Sequence, residues 1–326
     1  MSERVLKFTI PKGSLQDTIA LFFERAGLKL IFASKRDYRP SVGDPEISIK
    51  LLRPQEIPNY LVGENAFDIG ISGLDWVKET NADVELLLDL EVGEVSIVLC
   101  APSNWEKMNT LDEIIQAFFD AGKTLRISTE YLTLSTNYLK ENKTYRKIYS
   151  EKTPLVITPW KTWGDNEKVK IFLSFGATEA KPPEEVDLII DNTSTGTTLK
   201  DNNLKIIEII DTSTAVLIAN KNASQDAWKQ EKIKDVLVLL KGVIEARKKL
   251  HIFMNVKEEN LNKILNKLPA LKRPTISKLA GSDGWYAVNT IIRKKEFLGL
   301  IPQLRKYAQG LVVHEPRQIL PLEEIK

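Results

Sequence analysis

The stretch Val186–Leu199, VDLIIDNTSTGTTL, carries the side chains best suited to chemistry. An apolar run ends there at Asp191, and five hydroxyl side chains then surround Gly196: Thr193, Ser194, Thr195, Thr197 and Thr198. Glycine permits a tight turn in which successive N–H groups and hydroxyls converge on one small volume. The pattern is typical of a phosphate-binding loop, although it lacks the Gly-Lys-Ser/Thr ending of a Walker loop. The alternative is a loop whose hydroxyls bond only their own backbone.

Three acidic residues accompany this loop. Asp187 and Asp191 lie four positions apart, and their acceptor-only carboxylates suit a sugar diol or the hard Mg²⁺ ion that accompanies phosphate. Glu179 lies upstream in the segment GATEAK, just before Pro182 and Pro183. Taken alone, Glu179 is as well explained by a solvated carboxylate in a loop.

Basic and glycine residues follow several predicted strands. Lys12 and Gly13 follow the strand 5–10, Arg53 follows the strand 46–52, and Gly73 follows the strand 67–71. Strand ends of an open α/β sheet face its ligand cleft, so Lys12 and Arg53 could neutralise phosphate there. A single Lys or Arg at a strand end is equally compatible with an ordinary surface position.

Histidine and cysteine are too scarce to build most nucleophilic or metal sites. The two histidines, His251 and His314, lie in apolar strands and are interpreted as structural residues. Cys100 ends the run VSIVLCA and is interpreted as a small buried side chain. A single cysteine also excludes an intramolecular disulfide framework and multi-cysteine metal sites.

The elements that must position these residues alternate between strands and helices, which predicts a largely parallel sheet in an α/β fold. The last hundred residues instead follow the order β-α-β-β-α-β of a ferredoxin-like domain. We therefore expect two lobes with a cleft where the chain crosses between them, followed by a C-terminal domain. The expected boundaries are residues 1–101 and 186–230 for lobe I, 102–185 for lobe II and 231–326 for the C-terminal domain.

Composition narrows the function classes. The 326 residues include 46 basic and 44 acidic side chains, a formal net charge of +2. This near balance gives no global field for nucleic acid or an anionic membrane, so we expect neither as a partner. The start MSERVLKFTI has no signal-peptide pattern, and no apolar run is long enough to span a bilayer. The class expected is a cytoplasmic enzyme or binding protein.

Four stretches resemble one known family, the long form of ATP phosphoribosyltransferase, which opens histidine biosynthesis. They are LKFTIPKGSL (6–15), LLRPQEIPNYLVGENAFDIGISGLDW (51–76), SFGATEAKPPEEVDLIIDNTSTGTTLKDNNL (174–204) and LPALKRPTISKLA (268–280) with the following GWYAVNTII. The third stretch is the family's signature. The resemblance implies a catalytic part folded like periplasmic binding proteins, a C-terminal histidine-binding regulatory domain, dependence on Mg²⁺ and a dimer-hexamer assembly.

The resemblance also implies the reaction and its residues. The phosphoribosyl group of phosphoribosyl pyrophosphate passes to N1 of ATP, pyrophosphate leaves, and histidine inhibits. Asp191, Asp187 and Glu179 are the expected catalytic residues, and Mg²⁺ is expected to arrive on the substrate phosphates. The expected substrate-binding residues are Lys12, Gly13, Arg53, Gly73, Thr193, Ser194, Thr195, Gly196, Thr197 and Thr198. The expected effector-binding residues are Asn255, Thr275, Ser277 and Leu279.

Two rival functions share these features. One is a two-lobed module that closes on a small anion without turnover. The other is a phosphoribosyltransferase of the commoner fold, but those enzymes carry two adjacent acidic residues after an apolar strand. Here Asp187 and Asp191 are separated by Leu188, Ile189 and Ile190.

Overall fold

The computed structural model describes residues 4–34, 36–63, 66–268, 274–281 and 283–323. These residues divide into two compact units. The first comprises described residues of Met1–Leu6, Asp17–Ile49 and Gln225–Lys326, and the second comprises those of Lys7–Gln16 and Lys50–Ser224. Among the described residues, no helix is both long and apolar enough to cross a membrane.

The elements up to residue 102 are β1 (Leu6–Pro11), α1 (Gln16–Ala26), β2 (Ile47–Leu52), α2 (Ile57–Tyr60), β3 (Ile69–Gly73), α3 (Leu74–Thr80), β4 (Val84–Asp89) and β5 (Val95–Pro102). Those from there to residue 220 are α4 (Leu111–Asp120), β6 (Leu125–Thr129), α5 (Leu132–Glu141), α6 (Lys143–Tyr149), β7 (Pro154–Ile157), β8 (Thr162–Trp163), β9 (Asn166–Leu173), β10 (Leu188–Thr193), α7 (Thr197–Asp201), β11 (Leu204–Ser213) and β12 (Ala215–Asn220). The remaining elements are α8 (Ala227–Arg247), β13 (Lys249–Lys257), α9 (Glu258–Leu265), β14 (Thr275–Lys278), β15 (Trp285–Arg293), α10 (Lys294–Tyr307) and β16 (Ala308–His314).

A seven-stranded sheet, ordered β11-β5-β10-β6-β9-β7-β8, lies in the second unit. Apolar β-branched runs such as SIVLCA in β5 are buried on both faces, as expected for central strands. β10, β6, β9 and β7 run parallel. Their carboxyl ends therefore meet at one edge, where Asp191, Glu130 and Ser174 lie at or just beyond the strand ends.

A five-stranded sheet has the order β2-β1-β3-β12-β4. β1 pairs with β3 in parallel, and β12 runs antiparallel to both β3 and β4. Lys12 follows the end of β1, and its N–H donates to the carbonyl of Leu52 at the end of β2, 2.7 Å away. The predicted strand ends of Lys12 and Arg53 are therefore neighbours.

Strand pairing corrects the expected membership of the two lobes. Residues 95–101 and 188–213 were expected in lobe I, but β5, β10 and β11 pair within the seven-stranded sheet. Ile189 of β10 pairs with Cys100 of β5, and Leu188 pairs with Ile127 of β6. Because β10 joins β5 to β6, a boundary at residue 101 or 186 would cut through one sheet. The chain instead passes between the two sheets near residues 90–94 and at Thr214.

The ferredoxin-like order predicted for the C-terminal residues is observed in the first unit. The sheet order β14-β15-β13-β16 is antiparallel throughout. Alternate side chains of β13, among them Ile252, Met254 and Val256, pack with α9 and α10 into one core. The opposite face carries His251, Phe253 and Asn255.

Most predicted elements are found with small shifts, whereas five were not predicted: α3, β4, α6, β8 and β11. The sequence predicts a helix over residues 55–64, but the structure has the shorter α2 there, and the expected end at Glu64 lies outside the described residues. The sequence also predicts a strand over residues 186–190; the observed strand β10 continues to Thr193, because Asp191 and Thr193 pair with Val98 and Ser96.

Candidate active site

The Thr193–Thr198 loop turns from β10 into α7 at Gly196. Gly196 has φ +74°, a left-handed conformation that side chains disfavour. Its N–H donates to the hydroxyl of Thr193 at 2.9 Å, and the hydroxyls of Thr195 and Thr197 are 3.0 Å apart. These contacts match the self-bonded alternative in part. Ser194, Thr195, Thr197 and Thr198 are nevertheless exposed, so the rim of the loop is open to a ligand.

Asp191 lies half-buried near the end of β10. Burial, with a smaller contribution from the charges of Glu130 and Glu179, raises the pKa of its carboxyl group to about 6. The backbone N–H of Asn192 donates to Oδ1 at 2.7 Å and opposes this rise. A carboxyl group with such a pKa can exist in either protonation state near neutral pH.

A chain of side-chain hydrogen bonds supports Asp191 from the β9 side. The ammonium of Lys181 donates to Ser174 Oγ at 2.5 Å, and Ser174 Oγ lies 2.8 Å from Thr178 Oγ1. Thr178 bonds the Asp191 carboxylate in turn. Because an ammonium only donates and a carboxylate only accepts, the hydroxyl protons of this chain point toward Asp191. Sequence reasoning missed Ser174, Thr178 and Lys181.

Glu179 is brought near Asp191, as expected. It lies in the single helical turn Thr178–Ala180 after β9, and its charge acts on the Asp191 carboxyl group. Glu130, which was not predicted, acts in the same way from the end of β6. Within the described part of the chain, no group of three or more His, Cys, Asp or Glu side chains could hold a metal by itself.

Asp187 does not join this site. It precedes β10, whereas Asp191 and the loop lie at the other end of that strand. Its carboxylate binds Arg126 through both oxygens, with Nη2 at 3.0 Å from Oδ1 and Nε at 3.1 Å from Oδ2. The backbone N–H of Arg126 also donates to Oδ2 at 2.8 Å. The two aspartates are four positions apart along extended chain, a distance of about 13 Å. The structure thus contradicts the expectation that Asp187 addresses the ribose.

Lys12, Gly13 and Arg53 lie together at adjoining strand ends. Gly13 has φ +108°, and a Cβ placed on it would lie 3.4 Å from Nη1 of Arg53. The turn therefore leaves the guanidinium close to the backbone. Lys12 and Arg53 thus follow neighbouring strands, and Arg53 also lines the cleft described below; their binding of phosphate stays a prediction.

Gly73 is the residue before α3, and its lack of a side chain is required. A Cβ there would lie 2.1 Å from Oδ1 of Asp75, which is buried. Asp75 accepts hydrogen bonds from Ser213 Oγ at 2.6 Å and from the Tyr131 hydroxyl at 2.7 Å. Gly73 thus acts through the position of Asp75, a role that the sequence pattern did not reveal.

A cleft of ≈ 610 Å³ opens beside these residues. Its lining comprises Arg53, Gln55, Glu56, Trp76, Glu130, Leu173, Ser174 and Phe175. Gln55 donates to Glu130 across it at 3.3 Å, while the buried Oε1 of Gln55 has no partner among the described residues. The volume is within the usual range for small-molecule sites.

The expected effector residues share one face of the C-terminal sheet. Ser277 and Asn255 both pair with Ala287, from opposite sides, and Thr275 pairs with Asn289. Leu279 continues the alternation of β14, and its N–H bonds the Trp285 carbonyl at 3.0 Å. The buried Oδ1 of Asn255 has no hydrogen-bond partner in the described structure. This face therefore offers polar groups to a small ligand.

Cys100, His251 and His314 were interpreted from the sequence as structural residues, and of these His314 is exposed. Cys100 is buried, and burial raises its pKa to about 12, so it stays a thiol. His251 Nε2 lies 3.0 Å from Asn289 Oδ1, and its ring stacks at 5.9 Å on that of His314.

Comparisons with known proteins identify one family. Residues 53–242 match the family model for ATP phosphoribosyltransferase, and residues 246–315 match that for the HisG C-terminal domain. The ATP phosphoribosyltransferase of Thermodesulfovibrio yellowstonii is 38% identical over 98% of this chain and 100% of its own. That of Pelotomaculum thermopropionicum is also 38% identical, over 95% and 97%. The fold resembles the ATP phosphoribosyl transferase (HisG:HisZ) complex from Thermotoga maritima, with a TM-score of 0.54 at 24% identity over 74% of this chain and 99% of that one.

Proposed function

Because this chain belongs to the ATP phosphoribosyltransferase family, it is a pentosyltransferase of histidine biosynthesis, and we propose that the cleft beside Asp191 is where it transfers the phosphoribosyl group to ATP. The observation that carries this proposal is that the hydroxyl-rich loop follows the half-buried Asp191, whose carboxyl group feels the charge of Glu130, and Glu130 lines the same cleft as Arg53. An open loop for phosphate and a carboxylate for the sugar are what phosphoribosyl pyrophosphate requires.

The reaction needs positioning and charge more than a covalent nucleophile. The N1 lone pair of adenine forms a bond to C1 of the ribose, the bond from C1 to the pyrophosphate oxygen breaks, and its electron pair leaves with pyrophosphate. Positive charge develops on the sugar and negative charge on the leaving group. Among the described residues, the Asp191 carboxylate can stabilise the positive charge on the sugar, and the cations Lys12 and Arg53 can stabilise the negative charge on the leaving group.

Each group is assigned one role. The Thr193–Thr198 loop holds the 5′-phosphate through its N–H groups and hydroxyls. Asp191 accepts from the ribose hydroxyls and stabilises the sugar's developing charge, while Glu179 and Glu130 maintain the negative field around it. Lys12 and Arg53 neutralise the phosphates, and Gly13 gives them room.

Mg²⁺ is proposed to enter with the substrate phosphates. This ion keeps several waters and is usually held by one or two carboxylates together with phosphate oxygens. The lack of a three-ligand cluster among the described residues, together with Asp191 at the loop, fits such a site. When bound, the ion supplies positive charge to the departing pyrophosphate.

Regulation and assembly are proposed from the C-terminal sheet. Asn255, Thr275, Ser277 and Leu279 would bind histidine, and the unpartnered Oδ1 of Asn255 supports a ligand there. Histidine at millimolar concentration should then lower the rate of the full chain, and Asn255→Ala should weaken this inhibition. An unchanged rate would refute the regulatory role. We also propose a cytoplasmic homo-oligomer, a dimer or a hexamer.

The experiment for the proposed function measures pyrophosphate release when ATP, phosphoribosyl pyrophosphate and Mg²⁺ are combined. Release that needs both substrates supports transfer. Binding of phosphoribosyl pyrophosphate without release would favour the anion-binding module instead.

A further inference from the structure

Two large aromatic side chains stand exposed at the edge of the seven-stranded sheet. Phe175 is 72% exposed and Trp160 is 71% exposed. Their ring centroids lie 6.0 Å apart with an angle of 56° between the planes. Apolar groups of this size are usually buried, so an exposed contacting pair indicates a surface that something covers.

The backbone holds both rings in place. Phe175 follows β9, whose last residue, Leu173, pairs in parallel with Thr129 of β6. Trp160 lies in the turn between β7 and β8, which is closed by the N–H of Thr158 on the carbonyl of Lys161 at 2.9 Å. Because β7 and β9 are parallel neighbours, the two rings emerge at the carboxyl edge that also carries Asp191.

Phe175 lines the cleft together with one other aromatic residue, Trp76. Trp76 is buried, and one face of its ring is covered by Tyr131 with centroids 4.5 Å apart. Phe175 has no comparable cover within the described chain apart from the tilted ring of Trp160. It is therefore the described aromatic residue of the lining that can offer an open face to a planar ligand.

We propose that Phe175, braced by Trp160, is the stacking platform for the adenine ring of ATP. This inference rests on the proposed function. A base cannot enter between the two rings, because a stack on both sides needs about 7 Å between them. It must lie on the outer face of Phe175, and the Trp160 ring limits how far Phe175 can turn away.

The place of the platform suits the geometry of transfer. With the phosphoribosyl group on the β10 loop, a base on Phe175 lies along the same sheet edge, past Glu130 at the end of β6. Arg53 lines the same cleft and can meet the triphosphate. Stacking favours any base because each has a π face, so the platform contributes affinity rather than a choice between purines.

The test compares steady-state constants of Phe175→Leu, Phe175→Tyr and Trp160→Leu with those of the wild type. Phe175→Leu should raise the KM for ATP about tenfold, the scale of one base stack, and leave the KM for phosphoribosyl pyrophosphate unchanged. Phe175→Tyr keeps the ring and should restore the KM for ATP. Trp160→Leu should raise it about threefold, because it acts through Phe175. Phe119→Leu is a matched control, since Phe119 is 50% exposed on α4 and does not line the cleft.

Two results would overturn the platform. One is a KM for ATP in Phe175→Leu equal to that of Phe119→Leu. The other is a sedimentation coefficient that changes in Phe175→Leu while its KM for ATP stays unchanged. That result would identify Phe175 and Trp160 as a contact between subunits. If the wild type shows no transfer at all, the proposed function fails, and calorimetric titration of ATP into the same variants still decides the platform.

Discussion

The hydroxyl of Tyr131 donates to Oδ2 of Asp75 at 2.7 Å, inside a fully buried contact. Ser213 Oγ satisfies the other oxygen at 2.6 Å, and the side-chain amide of Asn192 donates to the Tyr131 oxygen at 2.9 Å. Asn192 is the residue after Asp191. The Asn192–Tyr131–Asp75 hydrogen bonds therefore connect α3, which begins at the end of β3 in the five-stranded sheet, to β10, the strand that carries Asp191.

The same helix makes a second connection. Glu79 accepts the backbone N–H groups of Thr133 and Leu134 at 2.9 and 3.0 Å, in the first turn of α5. A carboxylate at a helix N-terminus is favourable, although burial raises the pKa of Glu79. Asp75 and Glu79 thus bind the seven-stranded side of the cleft from successive turns of α3.

Tyr131→Phe should lower both stability and turnover. The change leaves Oδ2 of Asp75 without a donor, which costs about 1–3 kcal/mol, and frees the Asn192 amide beside Asp191. We expect a lower kcat at temperatures where the variant is folded, measured together with urea unfolding. Tyr145→Phe is the control, because that buried hydroxyl bonds Lys152 and Asn166 outside the site. Equal losses of kcat in the two variants would contradict the positioning role.

Gly73→Ala should disturb the site through Asp75. A Cβ at 2.1 Å from Oδ1 must displace that carboxylate and break its bonds to Ser213 and Tyr131. A loss of about 2–4 kcal/mol is expected in urea unfolding. Gly43→Ala serves for comparison, since nothing lies within 4 Å of the added atom. Similar stability of the two variants would show that Asp75 adapts at little cost.

Activity should depend on the ionisation of Asp191. Its pKa is raised to about 6 by burial, so kcat/KM for phosphoribosyl pyrophosphate should fall about tenfold per pH unit well below that value. Stability should change in the opposite direction. Because the folded state binds the Asp191 proton more tightly than the unfolded state, the contribution of this group to the free energy of unfolding declines as pH rises from about 4 to 6. A pH–rate profile of wild type and Asp191→Asn checks this. An inflection retained in Asp191→Asn would assign it to another group.

The two aspartates should separate cleanly by substitution. Asp187→Asn breaks a paired contact with Arg126, and we expect about 1–2 kcal/mol less stability with near-normal kcat. Asp191→Asn should cause a large loss of kcat without loss of stability at neutral pH, because it removes a charge that burial disfavours. Comparable kcat losses in both would return Asp187 to the reaction.

Asp187 and Asp191 show which features of the site could be predicted from the sequence. The sequence predicts that both aspartates lie next to one strand, β10. Which end of β10 faces the cleft is determined by its pairing with β5 and β6, and the sequence does not reveal that pairing. The loop itself was readable because its hydroxyls and glycine are contiguous. The sequence did not reveal the roles of Asp75, Tyr131 and Lys181, because each acts through a partner that is distant along the chain or belongs to a turn. Their only sequence signal was a polar residue next to apolar runs.

We propose that the Thr193–Thr198 loop holds the 5′-phosphate during transfer, and calorimetric titration of phosphoribosyl pyrophosphate into Gly196→Val measures this binding. Valine at φ +74° strains the turn by about 1–3 kcal/mol and changes the direction of the loop N–H groups. Gly122→Val carries the same strain, at φ +66° in a turn after α4, and is the control. We expect Gly196→Val to stay folded and to bind phosphoribosyl pyrophosphate at least tenfold more weakly than Gly122→Val. Equal affinity in the two variants would contradict it.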